Sequence, residues 1–243
     1  ASEHASYYAY NSVYKKIKEW LYPRLKAISV PTTMDTQIYR EKGYNAYYIP
    51  HMTTFDKIVD NSLRSHRVIN VGRLTKDKQQ IMLLDIWKEF NKKFPQNEYL
   101  LQIIGSGEEK ENIISYIEEN KIKNVELIPH TSKIEEYYRE AELFVFTSKM
   151  EGFGMVLLEA MSYGIPCISF DCPSGPRDII NNEVNGFLVP CYDKSKFSNY
   201  IYKYVTSNQS IKENFSRGAK ETIIQWDNNE IINKWVDVFR KIG

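Results

Sequence analysis

Short apolar runs alternate with longer amphipathic segments along the chain from residue 67 onwards. The apolar runs are rich in Val, Ile, Leu and Phe and show little alternation with polar residues, which is typical of strands buried on both faces of a sheet. They predict strands over residues 67–71, 99–104, 125–128, 143–147, 167–170 and 186–189. The intervening segments repeat apolar residues at helical spacing and predict helices over residues 80–94, 108–120, 133–141 and 155–163. This alternation predicts right-handed βαβ units, and therefore an α/β fold with an open, doubly wound, Rossmann-like parallel sheet.

Both ends of the chain depart from this pattern. After Pro190 the chain is predicted to be helical, with Asp193 or Ser195 as the first cap, a helix to about residue 207, and further helices over 211–226 and 228–242. The first 60 residues predict a helix (7–21), a strand (27–30), a helix (34–42), a strand (46–49) and a polar linker (55–66). Two short strands and two helices cannot cover both faces of a sheet. We therefore expect residues 1–60 to be part of a second α/β domain with its linker, and residues 61–243 to form the main domain.

Size and composition narrow the possible classes of protein. Dividing 243 residues by about 150 per domain gives roughly 1.6 domains. The formal charge is 32 minus 31, or +1, which gives no electrostatic argument for nucleic acid as the main partner. The chain has no apolar run of about 18 residues and no signal-peptide pattern, so we expect a cytoplasmic protein. Its three cysteines and four histidines lack C-x-x-C and H-x-x-x-H spacing, which predicts reduced thiols and no metal site.

The strongest local pattern is LFVFTSKMEGFGMVLLEAMSYG, at residues 143–164. A buried strand is followed by Glu151-Gly152-Phe153-Gly154, and a helix begins at Gly154 or Met155. Ligands of open α/β sheets bind at the carboxyl ends of the strands, and a helix N-terminus there attracts phosphate. The predicted donors are the backbone N–H groups of Gly154, Met155, Val156 and Leu157. The alternative is an ordinary glycine-containing turn between a strand and a helix.

Two carboxylates flank the start of this helix, Glu151 before it and Glu159 within it. At a rise of 1.5 Å per residue, Glu159 lies about 7 Å along the helix. The spacing suits hydrogen bonds to hydroxyls on the two sides of a diphosphate, with a sugar on one side and a ribose on the other. An ordinary solvated glutamate is the alternative for Glu159, although an unpaired carboxylate in an apolar run is costly to bury.

Two further loops are predicted at the same edge of the sheet. Gly72 and Arg73 follow the first strand of the main domain, with Lys78 a few residues on, and an Arg fork with a Lys charge is suited to a diphosphate. Gly105-Ser106-Gly107 follows the next strand, but the third position of the dinucleotide-binding pattern is Lys110 instead of a small residue. This departure disfavours a nicotinamide-dependent dehydrogenase, which is one of three hypotheses for the function.

Taken together, these residues resemble a known family. The motifs GRL with Lys78, GSG at 105–107, SKMEGFG with Glu159 eight positions after Glu151, and NGFLV at 185–189 occur in that order. They look like the C-terminal, donor-binding half of a retaining glycosyltransferase of family four (glycosyl transferases group 1), which has the two-domain GT-B fold. The resemblance covers residues 60–243. The segment FDCPSGPRD at 170–178 is similar to members that build bacterial wall, capsule or glycan polymers.

The resemblance implies a function and a set of residues that perform it. Family members transfer a sugar, usually from a UDP-sugar, to a glycan, lipid-linked or polymer acceptor with retention of configuration, and they need no bound metal or other cofactor. Arg73 and Lys78 would hold the diphosphate, and Glu151 would bind the transferred sugar. The other residues implied in donor binding are Gly72, Gly105, Gly107, Phe153, Gly154, Met155, Val156, Leu157, Glu159 and His4.

Two alternatives stay open at this point. Residues 1–60 resemble the end of the acceptor-side domain, so the second hypothesis is a nucleotide-sugar-binding module that transfers nothing on its own. The segment 14–26 carries Lys, Arg, Trp and Tyr residues that suit peripheral contact with a membrane surface, and a solvated basic helix is the alternative.

Overall fold

The computed structural model describes residues 1–53, 58–59, 61 and 63–243. Part of the predicted linker (55–57, 60 and 62) therefore lies outside the described residues. The strands are β1 (Ile28–Val30), β2 (Ala46–Tyr48), β3 (Arg67–Val71), β4 (Leu100–Ile104), β5 (Val125–Ile128), β6 (Leu143–Phe146), β7 (Cys167–Phe170) and β8 (Gly186–Val189). The helices are α1 (Ser12–Leu21), α2 (Thr33–Glu41), α3 (Gln80–Lys93), α4 (Lys110–Glu119), α5 (Ile134–Glu140), α6 (Met155–Ser162), α7 (Pro176–Ile179), α8 (Lys194–Val205), α9 (Gln209–Gln225) and α10 (Asn228–Ile242).

Strands β3–β8 form a six-stranded parallel sheet in the order β5-β4-β3-β6-β7-β8. This is the Rossmann arrangement, in which the chain winds to one side from β3 and then returns to start the other half at β6. The predicted doubly wound α/β fold is confirmed. Because β3 and β6 are neighbours, the crevice between the loops that follow them is where such sheets bind ligands.

Both faces of this sheet are covered, which explains why its strands lack polar alternation. Successive strand residues point to opposite faces, so Val68 and Val145 join one buried cluster with α3 and α8. Ile69 and Phe144 join another, together with α5, α6 and part of α9. Each apolar run therefore supplies two cores at once.

The N-terminal elements form a sheet of their own. Strands β1 and β2 pair in parallel, and α2 connects them. Tyr22, Tyr39 and Tyr44 pack together in a small core beneath these strands. The assignment of residues 1–60 to a second domain, and the boundary with residues 61–243, stay predictions.

The structure corrects the predicted helix over 7–21. Residues Tyr7–Ala9 form a 3₁₀ turn, Tyr10 is extended, and α1 begins only at Ser12. Two polar side chains cause the break, because Ser6 accepts a hydrogen bond from the N–H of Tyr8 and Asn11 accepts from the N–H groups of Val13 and Tyr14. Such caps each start a separate helical segment. The short helix α7 was also missing from the prediction.

Helix α1 exposes apolar and basic side chains together. None of its residues is buried, and Trp20 is 64% exposed. Contact between this segment and a membrane surface stays a prediction. Among the helices that the structure describes, none is long and apolar enough to cross a membrane.

Candidate functional site

An ion pair lies at the crevice between β3 and β6. The ammonium group of Lys78, in the loop after β3, pairs with the carboxylate of Glu151, in the loop after β6. Both side chains are largely buried, at 20% and 11% exposed. Two residues separated by 73 positions in the chain are thus in direct contact, at the edge where the sequence analysis expected both.

Hydrogen bonds between the two loops keep Lys78 in place. The hydroxyl of Thr147, at the end of β6, donates to the carbonyl of Lys78 at 3.2 Å. The N–H of Lys149 donates to the carbonyl of Asp77 at 2.8 Å. The Lys78 ammonium also lies 5.3 Å from the centroid of the Phe146 ring, within the range of a cation–π contact. The position of the cation therefore depends on β6 as well as on its own loop.

A second part of the site is a cavity of about 470 Å³ lined by Gly72, Arg73, Gly105 and Glu159 among others. Arg73 is exposed, and no hydrogen bond or ion pair of its guanidinium is found among the described residues. Its backbone carbonyl accepts from the side-chain amide of Gln80 at 2.9 Å, which fixes the loop. The two predicted cations thus differ, because Lys78 is neutralised by Glu151 while Arg73 keeps its donors free for a ligand.

The glycines at 105 and 107 allow two loops to touch. A side-chain carbon on Gly105 would lie 1.9 Å from the Gly72 carbonyl oxygen, and one on Gly107 would lie 2.2 Å from the Leu74 carbonyl oxygen. At Gly72 itself, a side-chain carbon would meet no atom within 4 Å. Gly105 and Gly107 therefore hold the loops together, whereas Gly72 leaves open space beside the cavity.

Glu159 lies on α6 and is one of the residues that line this cavity. The hydroxyl of Tyr138, on α5, donates to Glu159 Oε2 at 3.0 Å. Burial raises the pKa of Glu159 above its ordinary value, and the hydrogen bond from Tyr138 opposes that effect. Glu159 is thus a partly buried carboxylate with acceptor capacity left over, and not a solvated helix residue.

The N-terminus of α6 offers free backbone donors. Its first cap, Gly154, has φ of +95°, a left-handed conformation that favours glycine, and no side chain caps the helix. No hydrogen bond to a side chain or a loop is found for the N–H groups of Gly154, Met155 and Val156 among the described residues. The N–H of Leu157 donates to the Gly154 carbonyl at 2.9 Å. Three of the four predicted donors are therefore available to an anion, and the fourth is already engaged.

Phe153 and His4 occupy different surroundings. The Phe153 ring is only 3% exposed and packs edge-on against Trp226, so only its backbone can face a ligand. His4 is exposed, and its carbonyl lies against Gly152, where a side-chain carbon would come within 2.4 Å. The imidazole of His4 stacks on that of His51 at 5.4 Å. The structure thus brings His4 beside the turn that carries Glu151.

Residues that the sequence analysis did not assign also contribute. Tyr138 orients Glu159, and His51 lies between the rings of His4 and Phe153. Burial lowers the pKa of His51, and the neighbouring His4 lowers it further. Ser148 has a buried hydroxyl without a partner among the described residues. No local spacing signals these contacts, because each joins segments far apart in the chain.

The described residues contain no group of three or more His, Cys, Asp or Glu side chains that could hold a metal ion. The independence from metals that the resemblance implies stays a prediction.

Cys167 and Cys172 are buried free thiols, and Cys191 is a partly buried one.

Known proteins are similar to this chain in sequence and in architecture. The chain is 31% identical over 249 residues to the amylovoran biosynthesis glycosyltransferase AmsD of Erwinia amylovora, with 97% of this chain and 68% of that protein covered. It is 28% identical over 172 residues to a poly(ribitol-phosphate) alpha-N-acetylglucosaminyltransferase of Staphylococcus aureus, of which it covers 34%. In fold it is similar to a mutant of S. aureus TarM crystallised with fondaparinux, alpha-GlcNAc-glycerol and UDP (TM-score 0.85, 23% identity, 97% of this chain and 49% of that one).

The chain thus spans about two thirds of AmsD, about half of the TarM chain and about a third of the S. aureus poly(ribitol-phosphate) transferase. The sequence profile described as glycosyl transferases group 1 matches residues 53–222, which is well over half of the chain. This match includes the loops after β3, β4 and β6 and the whole cavity. The chain belongs to the glycosyl transferases group 1 family.

Proposed function

We propose that this chain binds a UDP-linked nucleotide sugar and takes part in the transfer of a hexose-type sugar to a glycan, lipid-linked or polymer acceptor with retention of configuration. The observation that carries the proposal is the placement of two carboxylates around one anion-binding helix end. Glu151, paired with Lys78, precedes the uncapped N-terminus of α6, and Glu159 follows it in the cavity with Arg73.

The diphosphate of the donor fits between these carboxylates. The free N–H groups of Gly154, Met155 and Val156 and the partial positive charge of α6 attract phosphate oxygens. Arg73 supplies a fork of donors that has no competing partner within the described part of the chain, and Lys78 supplies a point charge nearby. Glu159 would then accept hydrogen bonds from the ribose hydroxyls, and Glu151 from the hydroxyls of the sugar.

The same groups would assist departure of the nucleoside diphosphate. As the bond between the sugar and the phosphate breaks, negative charge grows on the phosphate oxygens, and donors that are already in position stabilise it. The acceptor hydroxyl would attack from the face that the diphosphate leaves, and the departing phosphate would take its proton. The carboxylate proposed for the sugar end, Glu151, is paired with Lys78, which suits binding of a hydroxyl better than nucleophilic attack.

The relatives support a polymer as the acceptor. AmsD takes part in amylovoran biosynthesis, and the S. aureus relative modifies a poly(ribitol-phosphate). The TarM structure holds UDP together with alpha-GlcNAc-glycerol. For this chain we therefore propose a UDP-sugar as the donor and a hydroxyl on a repeating polymer as the acceptor.

A second candidate function is nucleotide-sugar binding without transfer. The loops after β3, β4 and β6 of the six-stranded sheet carry most of the residues proposed to bind the donor, whereas the described part of residues 1–60 forms a two-stranded sheet of β1 and β2. The described residues therefore offer more groups for binding the donor than for binding the acceptor.

Release of UDP distinguishes the two functions. The chain is incubated with UDP-glucose, UDP-galactose or UDP-N-acetylglucosamine and a polyol-phosphate polymer, and UDP release is measured with and without the polymer. Polymer-dependent release, with an α-linked product by NMR from the α-linked donor, is the expected result. It should be lost in Lys78→Ala and kept in Lys203→Ala, an exposed lysine far along the chain. Binding of a UDP-sugar without release supports the second candidate, and no binding of any nucleotide sugar overturns both.

A further inference from the structure

Three buried polar side chains connect the N-terminal elements to the turn that carries Glu151. Ser6, Asp35 and Ser174 are 1%, 0% and 0% exposed. The Ser174 hydroxyl donates to Asp35 Oδ2 at 2.8 Å, and the Ser6 and Ser174 hydroxyl oxygens are 3.2 Å apart. Asp35 lies in the first turn of α2, whereas Ser174 follows β7 of the large sheet. Buried hydrogen bonds thus join the N-terminal elements to the turn after β7 of the large sheet.

Asp35 is a buried carboxylate in the first turn of α2, and its N–H donates to the hydroxyl of the capping residue Thr32 at 3.2 Å. Besides Ser174, its carboxylate accepts from the N–H of Tyr7 at 3.3 Å, and no salt bridge to Asp35 is found among the described residues. Burial raises the pKa of this carboxyl group, and its hydrogen bonds oppose that effect. A buried carboxylate without a cation is costly, and an apolar residue of similar size often serves stability as well. The helix dipole favours a carboxylate in the first turn of α2, and the hydrogen bond from Ser174 also ties this helix to the turn after β7.

Ser174 is bound directly to the backbone of Glu151. The N–H of Ser174 donates to the Glu151 carbonyl at 3.0 Å, and the N–H of Glu151 donates to the Pro173 carbonyl at 2.8 Å. The turn fits its surroundings tightly, because a side-chain carbon on Gly175 would lie 1.9 Å from the Phe153 carbonyl. A shift of Ser174 would therefore also shift the backbone of Glu151.

We propose that Asp35 and Ser174 are positioning residues for Glu151. By holding Ser174, the carboxylate of α2 fixes the backbone of Glu151, and with it the place of the carboxylate that binds the donor sugar. The N-terminal elements would in this way control the sugar end of the site without touching the ligand. The inference rests on the proposed function, since it assigns Glu151 to the sugar.

The test compares how tightly each variant binds two ligands, UDP and a UDP-sugar, which differ by the sugar that Glu151 is proposed to bind. Calorimetric affinities are measured for UDP and for UDP-glucose or UDP-N-acetylglucosamine, whichever of the two binds the wild-type chain more tightly. Ser174→Ala and Asp35→Ala should each weaken binding of the UDP-sugar relative to UDP by about threefold to tenfold, the usual range for a lost buried hydrogen bond, while UDP itself changes by less than about twofold.

Two variants serve as controls. Asp35→Asn keeps the contact, because the amide oxygen can accept from Tyr7 while the amide N–H₂ donates to Ser174, whose hydroxyl turns toward Ser6; its affinity ratio should stay near the wild-type value. Asn228→Ala removes a different contact between the N-terminal segment and the C-terminal helices, the bond from the Thr53 N–H at 2.9 Å, and should leave the ratio unchanged.

A double-mutant cycle shows whether Ser174 acts through Glu151. In a Glu151→Ala background the carboxylate to be positioned is gone, so adding Ser174→Ala should have no further effect on the affinity ratio. If the two effects add, or if Ser174→Ala weakens UDP and UDP-sugar equally, the inference is wrong. If the wild-type chain binds neither ligand, the proposed function fails first, which is a different result.

If Ser174→Ala and Asp35→Ala do not fold, the variant Ser6→Ala provides a further test. Ser6→Ala removes the milder contact to Ser174 and leaves the buried carboxylate and its main hydrogen bond intact. It should lower the affinity ratio by about twofold. An unchanged ratio in a folded Ser6→Ala variant, together with unfolded alanine variants at 35 and 174, would mean that the cluster serves stability alone.

Discussion

At the scale of single residues, the site holds its own counter-ion. Lys78 and Glu151 pair with each other, whereas Arg73 has no partner among the described residues. A diphosphate that enters the site must therefore compete with Glu151 for Lys78. The same carboxylate that would bind the sugar thus opposes binding of the phosphates, and the two ends of the donor become coupled.

Replacing Glu151 with glutamine should strengthen the binding of UDP. Loss of the carboxylate charge frees Lys78 for the phosphates, and we expect the UDP affinity to rise by about threefold in a calorimetric titration. Asp77→Asn is the matched control, since Asp77 is an exposed carboxylate one residue from Lys78 without an ion pair among the described residues. Weaker binding of UDP to Glu151→Gln would show that Glu151 supports the phosphate end instead.

Glu159 should make the binding of UDP depend on pH. Its pKa is raised by burial, and only the ionised form accepts hydrogen bonds from both ribose hydroxyls. As the pH falls through this raised pKa, the acceptor is lost, so the UDP affinity should fall at a higher pH than an ordinary glutamate would cause. The affinity is measured from pH 7.5 down to the limit of stability. Phosphate protonation acts equally on wild-type and Glu159→Gln proteins, and identical profiles for the two would rule out this role of Glu159.

At the scale of the elements, most of the large sheet could be predicted from sequence. The bounds of β3, β5, β7 and β8 agree with the predicted strands, and β4 and β6 differ by one residue. The agreement has a physical cause, because a strand buried on both faces must be apolar throughout and is bounded by polar loops. The loops after β3 and β6 were also placed correctly, since all carboxyl ends of a parallel sheet lie at one edge.

Contacts between distant segments could not be predicted. Tyr138 on Glu159, His51 on His4 and Asp35 on Ser174 each depend on how whole elements pack, and no local pattern encodes that packing. The predicted helix over 7–21 was wrong for a local reason, because the caps Ser6 and Asn11 divide an otherwise amphipathic stretch. The periodicity of a single sequence indicates the spacing of apolar residues, but it does not indicate side-chain hydrogen bonds that compete with a continuous helix.

The start of α8 offers a test at this scale. The sequence left Asp193 and Ser195 as alternative caps, and in the structure the Asp193 carboxylate accepts from the N–H of Lys196 at 2.9 Å. Asp193→Ala should lower the free energy of unfolding by about 1 kcal/mol, measured by urea denaturation. Ser195→Ala should change it by less than about 0.5 kcal/mol. The reverse order would mean that Ser195 caps the helix in solution.

At the scale of the whole molecule, a buried ion pair fastens the C-terminal helices to the sheet. Glu142, just before β6, accepts from the ammonium of Lys212 on α9 at 2.6 Å and from the Tyr99 hydroxyl at 2.8 Å. Its other oxygen accepts from the N–H of His66 at 3.2 Å. The pair sits at the edge of the sheet opposite the candidate site, so it bears on stability and not on ligand binding.

Removing one partner of this pair should destabilise the whole fold. Lys212→Met leaves a buried carboxylate without its cation, and we expect the free energy of unfolding to fall by about 3 kcal/mol. Lys203→Met, which breaks the exposed pair with Glu183, should change it by less than about 0.5 kcal/mol. Urea denaturation of both variants gives the comparison, and equal effects would show that the buried pair contributes no more to the free energy of unfolding than the exposed pair does.

The central claim is that the crevice between β3 and β6 binds a nucleoside diphosphate. The most direct measurement is a calorimetric titration of the full chain with UDP and, in parallel, with NAD. We expect UDP to bind, NAD to show no binding because Lys110 interrupts the dinucleotide pattern, and Glu159→Ala to weaken UDP binding by about tenfold or more. Binding of NAD without UDP, or UDP binding that Glu159→Ala leaves unchanged, would contradict the claim.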